Sequence, residues 1–352
     1  GHLSPMVEEA AIQLAVQGPS YRKAAQTLEN LLGYRVISHE AIRRHLLEIR
    51  ALPKAREPVH RPVLFAEVDG LFVKHQEKGI RGKEEKIVAV HQGWEKNGKR
   101  VRLKDKRHFV YRGKKPFWEA FEDFLIDNYA YDPTVHKLVI NGDGAGWITA
   151  CRKHFRNRAF FCIDRFHVAR ELRGLFRKHP RLNNVRKAFR AWDGEDLLVE
   201  LNSAVGTLGS NAKEDRLNDL IQQLEQYPEA LGDYRNWLKA QGIDTEDMRP
   251  MGSAEGTMSV FAKRLKNGRS WVEKGKQAMV TGLVAHLDNM SFQTLFGRAE
   301  SWGEPATEEK PPRHYEEKVA HTVGEMTRGN IQYLQGKSGL PVYRALQALQ
   351  SF

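Results

Sequence analysis

Up to residue 52 the chain repeats apolar residues at helical intervals. Ala24, Ala25, Leu28, Leu31 and Leu32 form one stripe over 21–32. Ser20 stands before it as an N-cap and Gly33 after it as a stop. Ser38 opens a second helix over 39–50. Its apolar side is Ile42, Leu46 and Ile49, with Arg43, Arg44 and His45 beside it. Two short helices with a basic second member predict a helix-turn-helix-like DNA-binding segment over 1–52; a plain helical hairpin has the same pattern. The polar stretch 53–62, with Pro53 and Pro58, reads as a linker.

The period then shortens. Strand-like runs cover 63–73, 85–94 and 100–111, with a tight turn at Asn97-Gly98. An amphipathic helix over 117–129 precedes an apolar strand over 135–141. A helix over 147–156 and a strand over 159–163 follow. From 168 to 242 the pattern is helical, broken near Pro180, Gly194, Gly209, Pro228 and Gly242. Ser253 reads as the cap of a further helix to about residue 267, and helices continue over 274–295. This order predicts an α/β fold, a mixed sheet flanked by helices. Its core is drawn from 63–167 and 248–298, with an all-helical insertion over 168–247 and a C-terminal helical tail over 299–352.

Composition sharpens the picture. The 352 residues are 41% hydrophobic and 28% charged, enough apolar material for a buried core. The net charge of +12 favours polyanionic partners, nucleic acid first among them. Cys151 and Cys162 are the only cysteines, which suits a reducing compartment. No apolar run approaches the ~20 residues that span a bilayer, and no signal peptide opens the chain. A cytoplasmic, nucleoid-associated protein with no membrane partner is expected. The chain starts Gly1-His2-Leu3, so a missing upstream segment is also expected.

Three acidic residues stand where this strand order would bring them together. Asp69 lies in or at the end of the first strand, before Gly70. Asp143 follows the strand over 135–141 between Gly142 and Gly144, which let the backbone turn and a ligand approach. Glu255 opens the helix after Ser253. Gathered carboxylates repel one another unless divalent cations neutralise them, and hard oxygen donors suit Mg2+ or Mn2+. Two such ions can drive phosphodiester exchange. Taken singly, each residue has a plainer reading: an Asp before Gly forms turns, and a Glu at a helix start complements the helix dipole.

Other groups surround this trio. Asp164 and His167 share a helix face and could orient one another beside the scissile strand; an Asp N-cap is the plainer reading. At ~100° per residue Ser259, Ala262 and Lys266 share the Glu255 face. Lys263, Arg264, Lys266 and Arg269 cluster beyond it and suit a DNA backbone. Cys151, His154, Cys162 and His167 offer a rival zinc set, but they lack the tight pairs on turns that structural zinc favours.

The longer motifs resemble the ISLre2-type bacterial insertion-sequence transposases, also catalogued as an uncharacterised protein family (UPF0236). The matching text is Val68-Asp69-Gly70, Asn141-Gly142-Asp143-Gly144 and Asp164-Arg165-Phe166-His167-Val168-Ala169-Arg170. To these add 201–208, the block 248–256 and its continuation 266–271. The likeness runs from about Ser20 to Arg298. It implies an RNase H-like fold and an Asp-Asp-Glu site at Asp69, Asp143 and Glu255, with two Mg2+ or Mn2+ ions. Its partners would be terminal inverted-repeat and target DNA, and its working form a homodimer or higher oligomer. The sequence is similar also to the wider Mutator-like group, whose Cys- or Asp-x-x-His motif matches Asp164 and His167. Family members usually carry more residues before the first helix. Two other readings compete: a non-enzymatic DNA-binding protein derived from such an element, and a host RNase H-like nuclease.

Overall fold

The computed structural model describes residues 3–49, 52, 59–77, 79, 81–98 and 100–295. The tail over 299–352 and the linker positions 53–58 lie outside the described residues.

Three helices open the chain: α1 (Pro5–Gln17), α2 (Tyr21–Leu32) and α3 (His39–Leu47). Ser20 Oγ accepts the Lys23 amide and Ser38 Oγ accepts the Ala41 amide, each at 3.1 Å, so both sequence caps hold. The expected stripe on α2 is only half buried. Ala24 and Leu28 are inside, whereas Leu31 is 72% and Leu32 43% exposed, because α2 packs through its first turns. Ile42, Leu46 and Ile49 are buried as expected, although α3 stops at Leu47 and not at residue 50.

The strands are β1 (Val63–Lys74), β2 (Gly82–His91), β3 (Trp94–Asn97), β4 (Arg100–Leu103), β5 (Arg107–Val110), β6 (Lys137–Gly142) and β7 (Ala159–Ile163). The expected single strand over 100–111 is divided. A turn through Asp105, whose φ is 47°, separates β4 from β5. β4 pairs with β3 in a small hairpin, and β5 returns to the main sheet. That sheet has the order β5-β2-β1-β6-β7. β2 is antiparallel to β1 and β5, whereas β1, β6 and β7 are parallel. The fold is thus a five-stranded mixed sheet flanked by helices.

Strand alternation sends successive side chains to opposite faces. Leu64, Ala66 and Val68 face one large apolar cluster with Leu138 and Ile140. Its other walls are α4 (Phe117–Tyr129), α5 (Gly146–Thr149), α6 (Cys151–Phe155) and the helical block α7 (Arg165–Phe176), α8 (Leu182–Ala191), α9 (Gly194–Asn202) and α10 (Asn211–Glu225). The block therefore shares its core with the sheet.

On the opposite face Val63, Phe65, Val139 and Cys162 meet α11 (Tyr234–Lys239) through Tyr234 and Leu238. Further along that face Leu71, Val73 and Ile87 meet α12 (Ala254–Leu265), α13 (Glu273–Leu287) and the three N-terminal helices; the short α14 (Phe292–Leu295) completes this cluster. The N-terminal helices thus pack into the same core as α12 and α13. Between the two apolar patches β1 presents Glu67 and Asp69.

Candidate functional site

The register of the parallel strands locates the acidic residues. Glu67 on β1 lies opposite Asn141 on β6, and Gly142 lies opposite Ile163 on β7. Two steps beyond Glu67 is Asp69; two beyond Asn141 is Asp143; one beyond Ile163 is Asp164. The three aspartates therefore stand level across three adjacent parallel strands, just past the ends of β6 and β7 but in the middle of the longer β1, beyond the point where its pairing with β6 stops; neighbouring strands are ~4.8 Å apart. Gly142 permits this approach. A Cβ there would lie 3.3 Å from the Val68 carbonyl oxygen and 2.6 Å from the Ile148 side chain. Gly144 then turns the chain away with φ of 90°.

The local bonds hold these carboxylates in place. Asp69 is half-buried and accepts its neighbour's Gly70 amide at 2.7 Å. Burial raises its pKa above the usual carboxylate range; the Gly70 amide opposes the rise, and the negative charge of Asp143 adds to it. Asp143 is exposed and accepts the Ala145 amide at 2.9 Å, while Gln223 on α10 donates to its main-chain carbonyl at 2.8 Å.

Asp164 is the N-cap of α7, accepting the Phe166 amide at 3.0 Å. Its other oxygen meets His167 Nδ1 at 2.5 Å. Burial would raise the Asp164 pKa, but the bonds from His167 and Phe166 hold it below the ordinary value. The same bond from Asp164 raises the His167 pKa against the cost of burial. The cap and the dyad, set out as rival readings of the sequence, coexist because the two carboxylate oxygens serve different partners.

Glu255 is placed differently. It is exposed and makes no hydrogen bond or ion pair among the described residues. Its helix is nonetheless anchored at the site by Glu67. That carboxylate is 3% exposed and accepts the amides of Gly252 at 3.2 Å and Ala254 at 2.7 Å. The start of α12 is thus tied one pleat, ~6.6 Å, before Asp69. Ser253 does not act as the expected cap: its backbone is already helical, its side chain caps nothing, and its Oγ is buried without a partner. Glu67 was missed in the sequence. Its one signal was a charge at an inward position of an otherwise apolar strand.

The basic residues divide. Arg43 and Arg44 are exposed on α3, with Arg43 held by Glu40 at 2.6 Å. Lys263 and Lys266 are exposed. Arg264, expected on a DNA-facing surface, is instead 5% exposed. It donates to the Ala15 carbonyl at 3.1 Å and lies near the rings of Tyr21 and Trp271. Arg269 is half-buried and donates to the carbonyls of Lys263, Lys266 and Pro19. Those two arginines join α12 to the N-terminal helices.

Among the described residues no group of three or more His, Cys, Asp or Glu is disposed as it stands to hold a metal ion. For zinc the reason is topological: Cys151 packs into the cluster on one face of the sheet and Cys162 into the cluster on the other. His154 is bonded to Glu122 and His167 to Asp164. For a hard cation the donor chemistry of Asp69 and Asp143 fits: two level carboxylates, one strained by the other's charge. Glu255 contributes nothing to that pair in this arrangement. No helix among the described residues is long and apolar enough to cross a membrane.

Comparison with known proteins places the chain. The UPF0236 protein TTE0402 of Caldanaerobacter subterraneus subsp. tengcongensis is 28% identical over 303 residues, covering 81% of this chain and 58% of that protein. The UPF0236 protein TTE0610/TTE0881/TTE1053/TTE2432 of the same organism is 28% identical over 320 residues, covering 87% of this chain and 64% of that protein. The chain thus spans about three fifths of the length of the curated relatives it matches. Among solved structures, the Drosophila P element transposase strand transfer complex aligns over 88% of this chain and 89% of that one, at 10% identity and a TM-score of 0.29, a likeness too loose to carry an argument. The model of the Uncharacterised protein family (UPF0236) matches residues 1–300, and the chain belongs to that family.

Proposed function

We propose that this chain is the catalytic part of a DDE transposase with an RNase H-like core, cutting and joining DNA at the ends of a bacterial insertion sequence. The observation that carries this reading is the level placement of Asp69 and Asp143 on neighbouring parallel strands, at the point where the pairing of β1 with β6 stops. The carboxyl ends of parallel strands are where open α/β sheets bind ligands, Asp143 stands at such an end, and two adjacent carboxylates there attract a hard cation. The net charge of +12 suits a DNA substrate.

In this reading Asp69 and Asp143 hold Mg2+ or Mn2+. The bound ions, two by analogy with other phosphodiester-exchanging sites, would activate the attacking oxygen and stabilise the leaving one. Glu67 holds the first turn of α12 one pleat from Asp69, and Glu255 on that turn would be the third carboxylate to hold the ions. Asp164 fixes the ring orientation of His167. The bond from Asp164 raises the His167 pKa and so favours the charged ring, which would offer positive charge to the scissile phosphate. Strand transfer needs two DNA ends, so a homodimer or higher oligomer on DNA is part of the proposal.

The test is nicking and joining of a labelled terminal-repeat duplex by the purified chain with Mg2+. Asp69→Asn, Asp143→Asn and Glu255→Gln should each abolish cleavage while DNA binding persists. Magnesium-dependent nicking retained by Asp69→Asn would refute the assignment. A second reading, a DNA-binding protein without catalysis, is favoured by the exposed, unengaged Glu255. It predicts no Mg2+-dependent nicking by the unaltered chain. Cleavage without joining would instead indicate a nuclease.

A further inference from the structure

The helix that begins at Asp164 carries a charge pattern that neither the site nor the fold uses. On α7 and its C-cap residue Arg177, whose backbone is still helical, Phe166, Arg170, Arg173 and Arg177 follow at i, i+4, i+7 and i+11, which places them in one stripe. All four are exposed, and the Arg170 guanidinium lies near the Phe166 ring. On α8, Arg186 and Arg190 are one turn apart with Lys187 beside them, and all three are exposed. Arg165, the first residue of α7, stacks on the rings of Phe189 and Trp192 at 3.9 and 3.7 Å and donates to the Phe189 carbonyl. The end of α8 is therefore clamped to the start of α7, and the two helices run antiparallel. Between them is a groove whose floor is Ala169, Leu172 and Val185, and whose walls carry Arg173, Arg186 and Arg190.

None of the six exposed cations, Arg170, Arg173, Arg177, Arg186, Lys187 and Arg190, makes an ion pair among the described residues. Two acids nearby in sequence are taken elsewhere: Glu171 pairs with Arg216, and Asp193 caps α9 by accepting the Asp196 amide. Like charges one turn apart repel and weaken a helix, so the stripe does not serve stability. An external polyanion would neutralise it. The row is continuous with the candidate site, because α7 starts at Asp164, level with Asp69 and Asp143. A helix of 12 residues extends ~18 Å, the length of about five base steps of duplex.

We infer that the α7–α8 groove is the surface that seats the DNA backbone and leads the duplex into the carboxylate site. This inference rests on the DNA-cutting reading above and assigns it a substrate track other than α3 and the end of α12. Arg173, Arg186 and Arg190 contact phosphates from the two sides of the groove, and Arg170 with Phe166 occupies its end nearest the site.

The experiment measures binding of a fluorescein-labelled random duplex, about 30 base pairs long, by anisotropy over a range of salt concentrations in EDTA. Arg173→Ala/Arg186→Ala/Arg190→Ala should weaken binding at least about tenfold and flatten the slope of log K against log salt by about two to three. Its thermal midpoint should stay unchanged, since no ion pair is lost. The charge-matched control Lys96→Ala/Arg100→Ala/Arg102→Ala, on the β3–β4 hairpin, should bind like the parent. Equal loss in the control, unchanged affinity in the groove variant, no DNA binding by the parent, or preference for an RNA duplex of the same sequence would each overturn the inference. Because binding is read without divalent cation, it is decided separately from nicking. A groove variant that loses binding while the parent binds but never nicks leaves this surface standing and removes the catalytic reading.

Discussion

Asp69 carries the sharpest conflict in the molecule. Its carboxylate is half-buried and faces the charge of Asp143, and its folded pKa lies above its unfolded value. The stability this gives is present below the unfolded pKa and lost as pH rises through the folded one, so at neutral pH the ionised group works against the fold. Asp69→Asn removes the charge at nearly constant shape and should raise the thermal midpoint without metal. Mg2+ should stabilise the parent, by about 1.4 kcal/mol at ten times its Kd, and leave Asp69→Asn unmoved. A midpoint indifferent to Mg2+ in both proteins would remove the metal site. The sequence made Asp69 and Asp143 legible because a carboxylate beside glycine at the end of an apolar run stands out. It pointed to Asp164 only as a partner of His167; that Asp164 stands level with the other two depends on strand register.

At the scale of elements, the docking of α12 decides whether the third carboxylate belongs to the site. A serine before an apolar run reads locally as a cap, and at Ser20 and Ser38 that reading holds. At Ser253 it fails because a group from another element takes the role. Glu67 reaches across from β1 and accepts the two amides. Removing it leaves donors in a buried place, which costs more than the bond itself returns. Glu67→Ala should lower unfolding stability by about 2–3 kcal/mol, read as a fall in denaturant midpoint at constant slope. Glu67→Gln, which keeps one acceptor, should lose less. Equal stability of the parent and Glu67→Ala would show that α12 is held by its apolar face alone. Arg264 teaches the same lesson in reverse. A cation in a run of exposed cations looks solvated, yet its guanidinium closes the contact between α12 and α1.

For the molecule as a whole, the N-terminal helices, the sheet and the helical block share continuous apolar clusters. The sequence suggested separate segments because composition changes at 53–62. Burial shows that the segments on either side pack into common cores. Acid should therefore destabilise the whole unit through any buried neutral base. His91 is 0% exposed, stacked on Phe65 with its centroid at 5.2 Å, and burial lowers its pKa from 6.5 to about 3. Its contribution is complete above the unfolded value of 6.5 and declines as pH falls toward about 3, because only the unfolded chain takes the proton. The slope is about 1.4 kcal/mol per pH unit at its steepest. Chemical unfolding between pH 7 and pH 4 should show this loss, and His91→Phe should flatten it. An equally steep fall in that variant would assign the acid sensitivity to carboxylates.

The residue pattern alone located most of the helices and strands and pointed to Asp69 and Asp143 as candidates. These follow from short-range physics: periodic burial, capping and turn chemistry act between residues close in the chain. The division of 100–111, the capture of α12 by Glu67, the burial of Arg264 and the cationic groove of α7 and α8 were settled only by tertiary packing. Each depends on which distant side chain arrives beside a given backbone group, and periodicity along a chain carries no record of that.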